Sequence, residues 1–255
     1  MAVEELTIVF KHATLDAELA LNSIQSELAE RQIPSSGFEL YEQPVELAEV
    51  SPQLKSAGRK TFNLVGRGFV FHLNSVRNFQ LDFLGIKATG EHRSSWEKWA
   101  ARFIGDPNFI MAWLADAEYE FWQNAEDLLQ YTSKYKPHEH LPKKSNGLPP
   151  PLEQTIIDTS GNPGRRLLRF GHYEAVGAVM WLGEAFWHLT KASKVEVERS
   201  PWLHISSPLP SVVRIEASSK CFTTPEGHTG QLQRELRVLL FPESSTSDLK
   251  STVQP

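Results

Sequence analysis

Between residues 60 and 87 the chain carries a pattern that few folds can use. Thr61, Phe62, Leu64 and Val65 come first. Gly66-Arg67-Gly68 follows, then Phe69, Val70, Phe71 and Leu73, and finally Phe79, Leu81, Phe83, Leu84 and Ile86. Aromatic and β-branched runs broken by Gly and Asn predict an antiparallel meander. Phe79-Gln80-Leu81-Asp82-Phe83 alternates as a strand with one dry face does. A sheet built this way has an apolar face to cover, so helices must be found elsewhere in the chain.

The flanking segments supply them. Residues 4–10 read as a strand. Residues 15–31 read as a helix with Thr14 as N-cap and a stripe of Ala17, Leu21, Ile24 and Leu28. Residues 38–42 suggest another strand, and 43–58 a surface loop with one helical turn at 45–49. A helix is expected over 94–104, capped by Ser94 or Ser95, with Trp96, Trp99, Ala100 and Phe103 on one side. Asp106-Pro107 then predicts the start of a long helix over 107–135, with Ile110, Leu114, Ala117, Phe121 and Leu128 along one face. Residues 136–152 hold five prolines and mark an irregular connection, a candidate seam. Beyond it, strands are expected at 155–159, 166–170, 173–181, 194–199, 202–206 and 211–217, with helices at 184–189 and 229–241. Strands and helices come in blocks, which predicts an α+β fold: antiparallel sheet with helices packed on one face, one compact domain over 1–242, and a flexible tail over 243–255.

Composition narrows the function. Hydrophobic residues make up 40% and charged residues 22%, enough for a substantial core. A net charge of −5 argues against a general nucleic-acid binder. Cys221 is the only cysteine, which leaves no intrachain disulfide and no cysteine zinc cage. The N-terminus lacks the pattern of a secretory signal and no run of apolar residues is long enough to span a membrane, so a cytoplasmic protein without a membrane partner is expected.

Catalytic motifs are sparse. His138-Glu139-His140 places two imidazoles at i, i+2, but no further ligand spacing accompanies them, so no metal is assigned. No nucleophile elbow or phosphate loop occurs. Arg165, Arg166 and Arg169 suit either an anion site or a protected strand edge. No catalytic residue and no cofactor is assigned.

The charge is unevenly placed. Residues 106–130 contain six acids and no Lys or Arg. On the expected helix, Asp116, Glu120 and Asp127 lie opposite the apolar stripe, with Glu118 and Glu126 on the flanks and Trp122 off the stripe. A second acidic segment carries Glu39, Glu42, Glu46 and Glu49. Acids around an aromatic anchor suit a basic protein partner, and they equally suit a solvated face.

Asp158-Thr-Ser-Gly-Asn-Pro-Gly-Arg-Arg166, Tyr173-Glu-Ala-Val-Gly-Ala-Val-Met-Trp-Leu-Gly-Glu-Ala-Phe-Trp187 and Leu232-Gln-Arg-Glu-Leu-Arg-Val-Leu-Leu-Phe-Pro242 resemble the immunity proteins of bacterial polymorphic toxin systems, in particular immunity family fifty-two. The resemblance covers the C-terminal half. It implies an α+β domain that neutralises a cognate toxin, a nuclease of restriction-endonuclease type in some cases delivered by type VI secretion, by binding and occluding its active site. The ten acidic and aromatic residues named above are then the expected toxin-binding set. The alternative is a cytoplasmic hydrolase with an unrecognised site, and a third reading is an adaptor for another host protein.

Overall fold

The computed structural model describes residues 3–89 and 96–243. The expected caps Ser94 and Ser95 and the expected tail from residue 244 onward lie outside them. In chain order the elements are β1 (Val3–Lys11), α1 (Ala17–Glu30), β2 (Phe38–Leu40), β3 (Gln43–Val45), α2 (Leu47–Ser56), β4 (Phe62–Gly66), β5 (Phe69–Val76), β6 (Leu81–Thr89), α3 (Trp96–Ala101) and β7 (Phe109–Asp116). There follow α4 (Ala117–Asn124), α5 (Leu128–Ser133), β8 (Lys143–Ser145), β9 (Thr155–Ile157), β10 (Leu167–Arg169), β11 (His172–Glu174) and β12 (Val179–Gly183). The chain continues with α6 (Glu184–Thr190), α7 (Lys194–Glu198), β13 (His204–Leu209), β14 (Val212–Glu216) and α8 (Gly227–Leu240).

Ten strands form one sheet in the order β13-β14-β12-β7-β1-β6-β5-β4-β2-β3. The expected meander is there as β4-β5-β6, antiparallel throughout. The fold is α+β with a large antiparallel sheet, and its helices divide between the two faces rather than gathering on one. Leu6, Ile8 and Phe10 of β1 point to one face, where α1, α2 and α3 pack through Leu21, Ile24, Val50 and Trp99. Val9 of β1, with Met111 and Trp113 of β7, points to the other, under Phe186 of α6, Val197 of α7 and Leu236 of α8. Fully burying each such side chain contributes about 1.5–3 kcal/mol. Both edge strands carry a proline, Pro44 in β3 and Pro208 in β13, which removes a donor that another chain would need in order to pair.

Several local expectations are corrected. Helix α1 is capped by Asp16, whose carboxylate accepts the Glu18 N–H at 3.0 Å, and not by Thr14. The loop expected at 43–58 is β3 followed by α2, which tolerates Pro52 in its interior. Residues 194–199, expected as a strand, form the short helix α7, because Ser193 caps it and Val197 turns into the core. The strand expected over 173–181 is split into β11 and β12.

The largest correction concerns the helix expected over 107–135. Residues 109–116 are β7, and every one of its side chains is buried. β7 lies between β1 and β12 with a covered face on each side, so it needs apolar residues at every position instead of alternate ones. A continuous apolar run satisfies helical spacing by accident. The helical part is confined to α4 and α5.

β7 and β12 are antiparallel neighbours, yet residues 117–178 separate them in the chain. This excursion carries α4, α5 and the two small ribbons β8-β9 and β10-β11.

One close approach in the meander sets up a test. Gly85 of β6 lies opposite His72 of β5, and the imidazole fills the space where a Cβ on residue 85 would stand. Burial, with the charges of Lys87 and Arg166, pushes the His72 imidazole down to about 4. Gly85→Ala should cost about 1–3 kcal/mol by overpacking, and the same substitution in a His72→Ala background should cost clearly less. Below pH 6.5 the unfolded chain binds a proton at His72 that the folded chain refuses until about pH 4. Stability therefore falls as pH drops through that window, and His72→Ala should flatten the slope in urea titrations.

Candidate protein-binding surface and the buried charges behind it

The acids expected on one helix face do not share a face. Asp116 ends β7 and caps α4, accepting the Tyr119 N–H at 2.8 Å, and is 9% exposed. Glu120 points inward from α4 and is 6% exposed. Its carboxylate accepts the Trp113 indole N–H at 2.8 Å and lies 3.3 Å from the Arg166 guanidinium. Burial raises the Glu120 pKa, against the opposing pull of Arg166.

The remaining four come to the surface together. Glu118 is exposed and lies 3.4 Å from Lys136. Trp122 is half-buried, with ring centroids 4.9 Å from Phe121 and 4.9 Å from Tyr131, and the Lys136 ammonium sits 4.5 Å over its face. Glu126 is half-buried, accepts the Thr159 hydroxyl at 3.1 Å and lies 3.6 Å from Lys144. Asp127 is exposed and caps α5, accepting the Leu129 N–H at 2.9 Å. The acids lack cations only in local sequence; Lys136, Lys144 and Arg166 reach them from further along the chain.

Glu39 of β2, Glu42 of the β2-β3 turn, and Glu46 and Glu49 at the start of α2 are all exposed. Five strand positions separate β2 from β7, which puts this second group roughly 24 Å away across the sheet. The expected set therefore splits into two surfaces and two buried residues.

The motif that begins at Asp158 is a clamp. The Gln123 side-chain oxygen accepts the Gly164 N–H at 3.1 Å, and the Asn124 side-chain oxygen accepts the Arg166 N–H at 2.6 Å. The Arg237 guanidinium of α8 donates to the carbonyls of Pro163 and Arg165. Tyr119 donates to the Gln233 side chain of α8 at 2.9 Å, and burial pushes its phenol up to about 12. Two of the arginines expected as an anion site or an edge guard are engaged by buried carboxylates: half-buried Arg166 with Glu120, and exposed Arg169 with Glu174 at 2.7 Å.

Three other places bear on chemistry. A cleft of about 720 Å³ is lined by Glu4, Glu97, Asp116 and Glu216, with Arg214 bridging Glu97 at 3.1 Å and Glu216 at 2.9 Å. Among the described residues, no group of three or more His, Cys, Asp or Glu side chains is placed to hold a metal ion. His138 packs edge-on against Tyr131 at 5.9 Å.

The third place was invisible in sequence, because its members are 63 and 70 residues apart. In a cleft of about 320 Å³, Ser75 donates to the buried Asp82 at 2.6 Å and lies 3.0 Å from His12 Nδ1, which is itself 3.2 Å from the same Asp82 oxygen. A hydrolytic relay needs acid and nucleophile on opposite ring nitrogens. Here both contacts fall on Nδ1, so the imidazole does not stand between them.

These placements separate fold from surface. Glu120→Lys should destabilise the protein by about 3–5 kcal/mol, because it puts a cation in the buried position, facing half-buried Arg166 and without the acceptor for Trp113. Glu118→Lys should change stability by less than about 0.5 kcal/mol. Chemical denaturation of the two variants checks the contrast.

No family model matches the chain, and no curated protein matches it. In fold it is similar to a Pseudomonas aeruginosa protein, T6SS protein PA0821, with a TM-score of 0.53 and 10% sequence identity, over 94% of this chain and 74% of that one. At that identity the likeness is one of fold.

Proposed function

We propose that this protein is a T6SS-associated immunity protein. It binds a cognate secreted nuclease toxin in the cytoplasm and neutralises it without turnover, by occluding the active site. The observation that carries this reading is the fold likeness to a T6SS protein over 94% of the chain. The sequence resemblance to immunity proteins in the C-terminal half points the same way.

Physical features support a binding role. Glu118, Trp122, Glu126 and Asp127 present carboxylates around an aromatic side chain on α4 and α5. Glu39, Glu42, Glu46 and Glu49 add a second exposed acidic field at the sheet edge. Carboxylates in these positions favour approach of a basic nuclease cleft, and their main effect is on the association rate. Asp116 and Glu120 serve the interface indirectly, by fixing α4 on the sheet. The Ser75–His12–Asp82 arrangement does not favour the hydrolase alternative, for the geometric reason given above.

Two experiments test the proposal. If a gene beside this protein's own encodes a secreted nuclease, co-expression with that nuclease domain should restore growth; continued killing would overturn the reading. Combining Glu118→Lys with Glu39→Lys and Glu42→Lys should slow association with the purified nuclease domain about ten-fold at low salt, and flatten its salt dependence. An unchanged rate would remove the acids from the mechanism.

A further inference from the structure

We propose that the cleft of about 720 Å³ over β7, β12 and β14 binds an organic cation, an ammonium or guanidinium group on an aliphatic stem. The inference stands apart from the immunity reading. Strand register fixes the floor of the cleft. Leu114 of β7 lies opposite Val179 of β12, and Val179 lies opposite Glu216 of β14. Asp116 is two residues on from Leu114 and shares its face, opposite Glu4 of β1. Trp96 and Glu97 of α3 and the chain after β14 complete the lining.

Among the described residues that lining carries four carboxylates, Glu4, Glu97, Asp116 and Glu216, and two cations, Arg214 and Lys220, so it is negative by two. Arg214 is shared between Glu97 at 3.1 Å and Glu216 at 2.9 Å. Glu4 accepts the Trp96 indole N–H at 2.7 Å. Charge alone would make this an acidic face and nothing more. Asp116 makes it a site. It is 9% exposed, and its Oδ1 is committed to the Tyr119 N–H at 2.8 Å. Its Oδ2 has neither a hydrogen bond nor an ion pair, and it is not sealed into the core; the cleft is where it meets solvent. A carboxylate so far withdrawn from water gains from a cation that reaches its open oxygen. Glu4 stands directly across the β1-β7 pair, where side chains start about 4.5–5.5 Å apart and like charges repel. A cation between the two relieves that repulsion.

The floor decides the rest of the ligand. Leu114 and Val179, each 8% exposed, form an apolar step beside Asp116. A hydrated metal ion gains nothing from that step, and no group of three or more ligating side chains gathers among the described residues. An aliphatic stem with its charge at one end covers the step while the head reaches the carboxylates. The groove between α7 and α8 is equally large, about 720 Å³, but it sets Lys191 and Arg234 against Glu196 and Glu235 and has no net charge to offer.

Two sources share this chemistry, a free polyamine and a Lys or Arg side chain of a partner protein. The probes are agmatine and N-acetylarginine amide, titrated into the full chain at low salt. The readout is the Trp96 indole N–H resonance in proton–nitrogen correlation spectra, assigned with Trp96→Phe. Agmatine should shift it saturably, and Asp116→Asn should weaken binding at least about ten-fold. Asparagine also caps helices, so the Tm should stay within about 2 °C of the parent. Asp127→Asn makes the same change at the α5 cap and should leave binding unchanged. Tighter binding of N-acetylarginine amide assigns the cleft to a protein side chain, and tighter binding of agmatine to a polyamine; both sustain the proposal. No saturable shift with either probe in the parent, or equal losses in the two variants, would overturn it.

Discussion

A buried carboxylate holds the two parts of this molecule together. Glu120 leaves the sheet on the first turns of α4 and turns back to accept the indole N–H of Trp113 on the central strand β7. Its other oxygen faces Arg166, which enters from the far end of the excursion. One side chain thereby ties the departing chain, the sheet and the returning chain to a point. A carboxylate pulled out of water is expensive unless paired and hydrogen-bonded, and here it is both. The Gln123, Asn124 and Arg237 contacts complete the junction by engaging the peptide groups of residues 163–166. The motif that resembles the immunity family is thus explained as structure: its turn residues and arginines make the joint.

That joint changes how the charge must be read. Local sequence leaves the acids of 106–130 without cations, while the fold supplies Lys136, Lys144 and Arg166 from outside. What remains at the surface around α4 and α5 is of mixed charge, with Glu118 and Asp127 exposed alongside Lys134 and Lys136.

Some of this was legible from the residues alone. The meander announced itself through alternation, because β5 has a dry side and a wetter one. The stripe Ala17, Leu21, Ile24 and Leu28 is buried as its spacing requires. β7 was misread because burial on both faces erases the two-residue period that marks a strand. α7 was misread for the opposite reason: Lys194-Val-Glu-Val-Glu198 alternates, but a capping serine and one buried valine decide in favour of a helix. Glu118 and Asp127 are exposed as their sequence setting suggests, with Trp122 half-buried between them, since an aromatic among acids is visible in one dimension. Glu120's inward turn was not, because its partner Arg166 is 46 positions away in the chain. The Ser75–His12–Asp82 group escaped for the same reason.

The proposed function turns on the exposed acids near α4 and α5 and at the β2-β3 edge facing a basic partner. Hydrogen–deuterium exchange, with and without a nuclease domain against which this protein protects cells, tests it most directly. The account predicts new protection on complex formation in α4, α5 and the β2-β3 edge, with little change in β5 and β6. Protection confined to the groove between α7 and α8 would contradict it.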